Sequence, residues 1–236
     1  MNKTSILSHT EVDGTSSVFI TVDNFLDSNE INYYHNEVNN ISDWKNGYFH
    51  SGRTPRLQKW YHDDNKYFAN YWNNQTHERW MSNHTDDWMV KLRNKVQLMV
   101  DNIFTENIND HYMGCNKPQL NSTLINYYRD GNDYIKYHHD DEKIFGDNPT
   151  VCILTFGVER ELRFKRTINS SNKEMHKRFS ISMNDEENEL NKGFILKPGS
   201  LFIMMGSVQK YYCHGIDKDS SITDSRYSLT FREHKN

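Results

Sequence analysis

From Pro118 to the carboxy terminus, apolar and polar residues alternate with a period of two in short runs separated by turn-forming residues. No other feature of the sequence narrows the fold as much. Successive residues of a strand face opposite ways, so such runs read as strands with one face turned to a core. They fall at 122–128, 134–140, 151–156, 162–165, 194–196, 201–205, 211–214 and 226–232. Asp130-Gly131-Asn132-Asp133, Gly146-Asp147-Asn148-Pro149 and Pro198-Gly199-Ser200 are the turns between them. Many short strands with irregular connections predict a β-sandwich or jelly roll.

The amino-terminal half reads differently. Residues 1–18 are polar without a period and are expected to form a flexible arm, leaving 19–236 as a single domain. A helix is predicted over 28–41, with Asp27 as cap, Glu30 completing a capping box, and Leu26, Ile31, Tyr34, Val38 and Ile41 at helical spacing. A second is predicted over 86–104, capped by Thr85, with Trp88, Leu92, Val96, Met99 and Ile103 as one apolar stripe. Segment 45–60 reads as a basic loop, holding Lys45, Arg53, Arg56 and Lys59 with no acid. Residues 160–178 hold seven basic side chains against two acidic ones. Both segments suit a phosphate backbone, and both are equally readable as solvated surface. The stretch 169–192 reads as a long polar loop. A net charge of -4 argues against coating nucleic acid by bulk charge, but these two segments show that the charge is segregated.

Other classes are excluded by absence. No run approaches the roughly 18 uncharged apolar residues of a membrane span, and no apolar leader opens the chain, so the protein is expected inside the cell, in nucleus or cytoplasm. Cys115, Cys152 and Cys213 are too few and too scattered for a disulfide framework.

The segment Tyr134-Ile-Lys-Tyr-His-His-Asp-Asp-Glu142 carries the strongest chemical signal. On a strand, His138 and Asp140 face the same way, an imidazole beside a carboxylate. Two His and one carboxylate on one face of an octahedron, with open positions opposite, mark non-haem Fe(II) oxygenases. An HxD triplet alone marks a solvated turn as readily, and His139 with Asp141 has the same spacing. His214, in Tyr211-Tyr-Cys-His-Gly215, offers a third ligand. In the last strand, Arg226, Ser228, Thr230 and Arg232 share one face and Tyr227, Leu229 and Phe231 the other. Paired guanidinium groups suit an anionic ligand, although an edge strand with a wet face has the same pattern.

These pieces together resemble the AlkB family of Fe(II)- and 2-oxoglutarate-dependent nucleic-acid dealkylases. The resemblance runs from about Arg53 to Arg232 and is carried by 124–131, 138–142, 199–201, 212–216 and 226–232, with 55–61 similar to the segment that precedes the nucleotide-recognition lid. It implies an α+β, mainly β fold: a double-stranded β-helix (jelly roll) at 119–236, with supporting helices and the lid at 19–118. It implies His138, Asp140 and His214 as iron ligands. Asn126, Tyr128, Arg226, Thr230 and Arg232 become the 2-oxoglutarate pocket, and Asp141, Tyr61 and Arg56 meet the nucleic acid. Tyr67, Phe68 and Tyr71 are the aromatics available to stack on a base.

The implied activity uses Fe(II), 2-oxoglutarate and O2 to demethylate N1-methyladenine and N3-methylcytosine, releasing formaldehyde and succinate. The expected partner is alkylated DNA or RNA, with no membrane, and the chain is expected to act as a monomer. Two alternatives keep the fold: an oxygenase acting on a protein side chain or small metabolite, and a non-catalytic nucleic-acid binding module.

Overall fold

The computed structural model describes residues 3–49, 52–64, 66–68, 81–108, 112–140, 142–167 and 193–235. Strand β1 (Lys3–Thr10) and strand β2 (Ser16–Asp23) open the chain as an antiparallel hairpin in unbroken register from Lys3↔Asp23 to Thr10↔Ser16. Helix α1 (Ser28–Asn39) follows, and its capping box forms: Asp27 Oδ1 accepts from the Glu30 N–H at 2.9 Å and Glu30 Oε2 from the Asp27 N–H at 3.1 Å. Such a cap is worth about 1 kcal/mol. Strands β3 (Lys45–Phe49) and β4 (Gly52–His62) come next, then helix α2 (Asp87–Ile103), which widens into a π turn at Phe104–Ile108.

The alternating half supplies β5 (Ser122–Tyr128), β6 (Ile135–His138), the one-turn helix α3 (Glu142–Phe145), β7 (Val151–Gly157), β8 (Arg160–Arg166) and β9 (Phe194–Leu196). It ends with β10 (Leu201–Gly206), the one-turn helix α4 (Val208–Tyr211), β11 (Tyr212–Ile216) and β12 (Arg226–Arg232). Pairing makes an eight-stranded sheet, β1-β2-β10-β7-β12-β5-β4-β3, and a four-stranded one, β6-β11-β8-β9. This is the mainly β jelly roll with few helices that the alternation implied.

Period two gives the large sheet two cores. One face presents Ile125, Leu154, Leu229 and Phe231 to Leu92, Val96 and Val100 of α2 and to Val38 of α1. The opposite face turns Phe19, Val151, Ile153, Phe202 and Met204 toward Leu162, Phe164 and Tyr212 of the small sheet, with Phe19 and Phe164 edge to face at 4.9 Å. Each such buried side chain contributes about 1.5–3 kcal/mol. The polar site lies on this second face.

The loops beyond β5 and before β12 are stitched together at one end of the sandwich. Gly131 N–H donates to the Ile222 carbonyl and Asp219 N–H to that of Gly131, both at 2.9 Å. A Cβ at Gly131 would lie 1.7 Å from the Asp219 carbonyl oxygen, so no other residue fits. Arg160 Nη2 adds bonds to the carbonyls of Asp133 (3.2 Å) and Asp217 (2.5 Å).

Three expectations are corrected. Residues 1–18 are not a loose arm: they contain β1 and the start of β2. Most of β1 is solvent-exposed on both faces, so it has no core periodicity and is held by main-chain bonds to β2. Segment 45–60 is not a loop but most of β3 and β4, so part of 19–118 belongs to the large sheet along with 119–236. The basic side chains described in 160–178 are largely engaged within the protein. Arg163 bonds Glu161 and Arg166 bonds Glu11, each at 2.6 Å, and Lys165 covers the Tyr137 ring at 3.8 Å. All of 169–192 lies outside the described residues. Among the described residues no helix is long and apolar enough to cross a membrane.

Candidate active site

Strand β6 ends at His138, and its antiparallel neighbour β11 places His214 directly opposite, with ring centroids 4.4 Å apart. Asp140 lies just past the strand end. Ligand atoms of His138, Asp140 and His214 all fall within 4.8 Å of one another, the only such group among the described residues. The Lys136 carbonyl lies 2.9 Å from His138 Nδ1 and can only accept, so Nδ1 carries the hydrogen and Nε2 is the free donor atom. His139 bonds away from this group, to the Gln209 carbonyl at 2.6 Å. The structure therefore brings together the 138/140 pair and not the 139/141 pair; Asp141 itself lies outside the described residues.

Electrostatics prepare the three for a divalent cation. Burial pushes the His138 and His214 imidazoles down, His214 to about 3. Burial alone would raise Asp140, but Arg232 foremost, then His214 and His138, hold its carboxyl below the usual carboxylate range. Two neutral imidazoles beside a carboxylate need lose no proton to bind metal, which fits Fe(II).

The inward face of β12 runs from Arg226 to Arg232. Arg232 grips Asp140 through Nε–Oδ2 and Nη2–Oδ1 bonds, each 2.9 Å. It is expected among the pocket residues, and its fork also matches the carboxylate just beyond β6. Arg226, about 20 Å away along the strand at 3.3 Å per residue, is 0% exposed. None of its three guanidinium nitrogens meets hydrogen-bond geometry with a described residue, although the neighbouring Tyr128 side chain favours its charged form. Burial pushes it down to about 10, and its guanidinium lies 5.1 Å from the Tyr128 ring centroid. An unpaired buried cation is costly unless something anionic joins it.

Across the sheet from Arg226, β5 places Tyr128 and Asn126 on the same face, and Thr230 follows on β12; all are buried. Asn126 Oδ1 accepts from Arg56 Nε at 2.7 Å and Gln58 Nε2 at 2.9 Å. With both lone pairs taken, Asn126 can offer a ligand only its N–H groups.

Arg56 and Tyr61 are not where nucleic-acid contacts would put them. Arg56 is buried on the inward face, bonded to Asn126 and to the Tyr134 carbonyl. Tyr61, one step out of phase on the same strand, packs in the core beneath the helices. The alternation of β4 instead turns Gln58, Trp60 and His62 toward the site; the sequence reading took Gln58 and Trp60 for part of a loop and gave His62 no role. Trp60 packs on Phe68 (5.3 Å), His62 (5.8 Å) and His234 (5.2 Å), and Phe145 lies 4.8 Å from the Arg232 guanidinium. Phe68 is thus part of the packing around Trp60, and Tyr67 bridges to Met81; Tyr71 lies outside the described residues.

Comparison with known proteins agrees with this arrangement. The chain is similar to the Arabidopsis thaliana DNA oxidative demethylase ALKBH2, at 32% identity over 122 residues, 48% of this chain and 38% of that protein. It is also similar to the Rattus norvegicus alpha-ketoglutarate-dependent dioxygenase alkB homolog 3, at 33% over 114 residues, 48% of this chain and 35% of that protein. The matched segments span well under half the length of these relatives. The solved structure of OsALKBH1 shares the fold, with a TM-score of 0.58 at 12% identity over 92% of this chain and 96% of that one. The profile of the 2OG-Fe(II) oxygenase superfamily matches residues 19–232, which include the His138–Asp140–His214 group and the inward face of β12, and the chain belongs to that superfamily.

Proposed function

We propose that this chain is an Fe(II)- and 2-oxoglutarate-dependent dioxygenase that demethylates N-alkylated bases, N1-methyladenine and N3-methylcytosine, in DNA and RNA, releasing formaldehyde and succinate. The observation that carries the co-substrate is Arg226, a fully buried guanidinium whose three nitrogens have no hydrogen-bond partner among the described residues, on the strand face that also leads to the metal group. The nucleic-acid part rests on the similarity to ALKBH2 and alkB homolog 3.

His138, Asp140 and His214 would hold the iron, which when bound supplies oxygen activation. Arg226 would take the distal carboxylate of 2-oxoglutarate, with Asn126, Tyr128, Thr230 and Arg232 completing its pocket. Arg232 keeps both Asp140 oxygens oriented and the carboxyl ionised. A methyl on the pairing edge is reachable only after the base leaves the stack, and a lesion that cannot pair is the cheapest base to extrude. One domain, in which β1 and the start of β2 join 19–236, acting as a monomer inside the cell, suffices for this chemistry.

A second reading, oxygenation of a protein side chain or small metabolite, draws on one observation: Arg56, Arg160, Arg163 and Arg166 all have partners within the protein. Formaldehyde release from methylated single- and double-stranded DNA and RNA oligonucleotides, with iron and 2-oxoglutarate, separates the two. Release above the metal-free control supports demethylation. Iron-dependent succinate without formaldehyde from any oligonucleotide overturns it.

A further inference from the structure

The three metal-binding side chains come from two segments, 138–140 and 214, and the sheet joins those segments weakly. β6 and β11 share only the pairs His214↔His138 and Ile216↔Ile135, with an irregularity between them. Asp140 lies beyond the last pair, so its N–H has no ladder partner. Two weak pairings cannot by themselves fix three ligand atoms to a fraction of an ångström.

Gln209 supplies what the ladder lacks. It lies on α4, five residues before His214, and is buried. Its side-chain Oε1 accepts from the Asp140 N–H at 2.8 Å, while its main-chain carbonyl accepts from His139 Nδ1 at 2.6 Å. The two bonds are reciprocal: side chain to main chain in one direction, main chain to side chain in the other. Their polarity is fixed, because an amide N–H only donates and a carbonyl only accepts. That sets the Gln209 amide with Nε2 turned to Met204 Sδ, which it meets at 3.2 Å, and sets His139 with its hydrogen on Nδ1.

We propose that His139 and Gln209 form a latch that positions Asp140 against His138 and His214, so that the second histidine of His138-His139 acts as a positioning residue rather than a spare ligand. The inference rests on the metal reading of the triad. Outer residues that orient metal ligands typically tune affinity by 10- to 100-fold, and the latch belongs to that class although it grips main chain as well as side chain.

The test is metal affinity of the full chain, measured by Co(II) titration with the visible spectrum as readout and thermal unfolding of the metal-free protein alongside. Gln209→Leu, which leaves the Asp140 N–H without an acceptor, is expected to weaken Co(II) binding about 10- to 100-fold and to alter the spectrum. Gln209→Glu keeps an acceptor there and is expected to retain binding within about threefold of the parent. His139→Ala changes an exposed residue and tolerates folding, so it decides the matter if Gln209→Leu does not fold. It is expected to weaken binding several-fold with the metal-free unfolding midpoint unchanged. In the double variant the effects do not add, because either change opens the same latch. Unchanged affinity in both single variants, or a loss matched by an equal loss of fold, overturns the proposal. A parent protein that binds no Co(II) would instead overturn the metal reading on which it rests.

Discussion

Arg226 and Arg232 are the same residue type on the same face of the same strand, both buried, six positions apart. At one end the guanidinium makes two charge-assisted bonds to Asp140; at the other it makes none among the described residues. The difference separates two uses of a buried charge. Arg232 is part of the protein's own construction, and its partner is encoded in the chain. Arg226 has no hydrogen-bond partner among the described residues, and in the proposed function a ligand completes it.

The largest expected effect comes from breaking the completed end. Asp140→Ala removes a metal-binding group and strands Arg232, so iron-dependent succinate formation should fall below detection. The metal-free protein should also lose about 3 kcal/mol or more of stability in urea unfolding, as when one partner of a buried pair is deleted. Retained turnover would remove Asp140 from the site. Next comes the sign of methionine substitution at the two ends. Arg226→Met should weaken 2-oxoglutarate binding about 100-fold yet stabilise the ligand-free protein by about 1 kcal/mol, because it removes an unpaired buried charge. Arg232→Met should destabilise that protein, because it strands Asp140. Calorimetric titration and unfolding midpoints check both, and equal signs would erase the contrast.

The smallest effect concerns His62, which lies across β5 from Arg232, both residues pairing with Ser122. Burial pushes the His62 imidazole down, with Lys66 adding to the effect. Below about pH 6.5 the unfolded chain therefore takes up a proton that the folded protein resists, and stability is lost as pH falls through that range. His62→Gln should reduce the drop in unfolding free energy between pH 7 and 5.5 by up to about 1 kcal/mol. An identical slope in parent and variant would dismiss His62 as its source.

The contrast along β12 also explains what was legible in the sequence. Bounds of β5, β9 and β12 and the capping box of α1 follow from local pattern, because an apolar stripe or a cap is its own signal. The pairing of Arg232 with Asp140 does not, since it joins residues 92 apart in the chain. Period two shows that a strand has a polar face, not whether that face is wet, so the inward residues Arg56 and Gln58 of β4 read as part of a basic loop. β1 escaped for the opposite reason: it has no buried stripe to detect. The choice of His138 over His139 turns on where β6 stops and on a carbonyl 70 residues away, at Gln209, neither of which periodicity specifies.

The stitched loops around Gly131 have a consequence for traffic. They close the sandwich at the Arg226 end, where Arg160 ties the carbonyls of Asp133 and Asp217 and the Arg226 guanidinium has no solvent contact. In the proposed function, a small acid reaching Arg226 past these described loops would enter from the metal end, charged group first. Once seated, its carboxylate meets the guanidinium in a medium far less polarisable than water, where opposite charges attract most strongly.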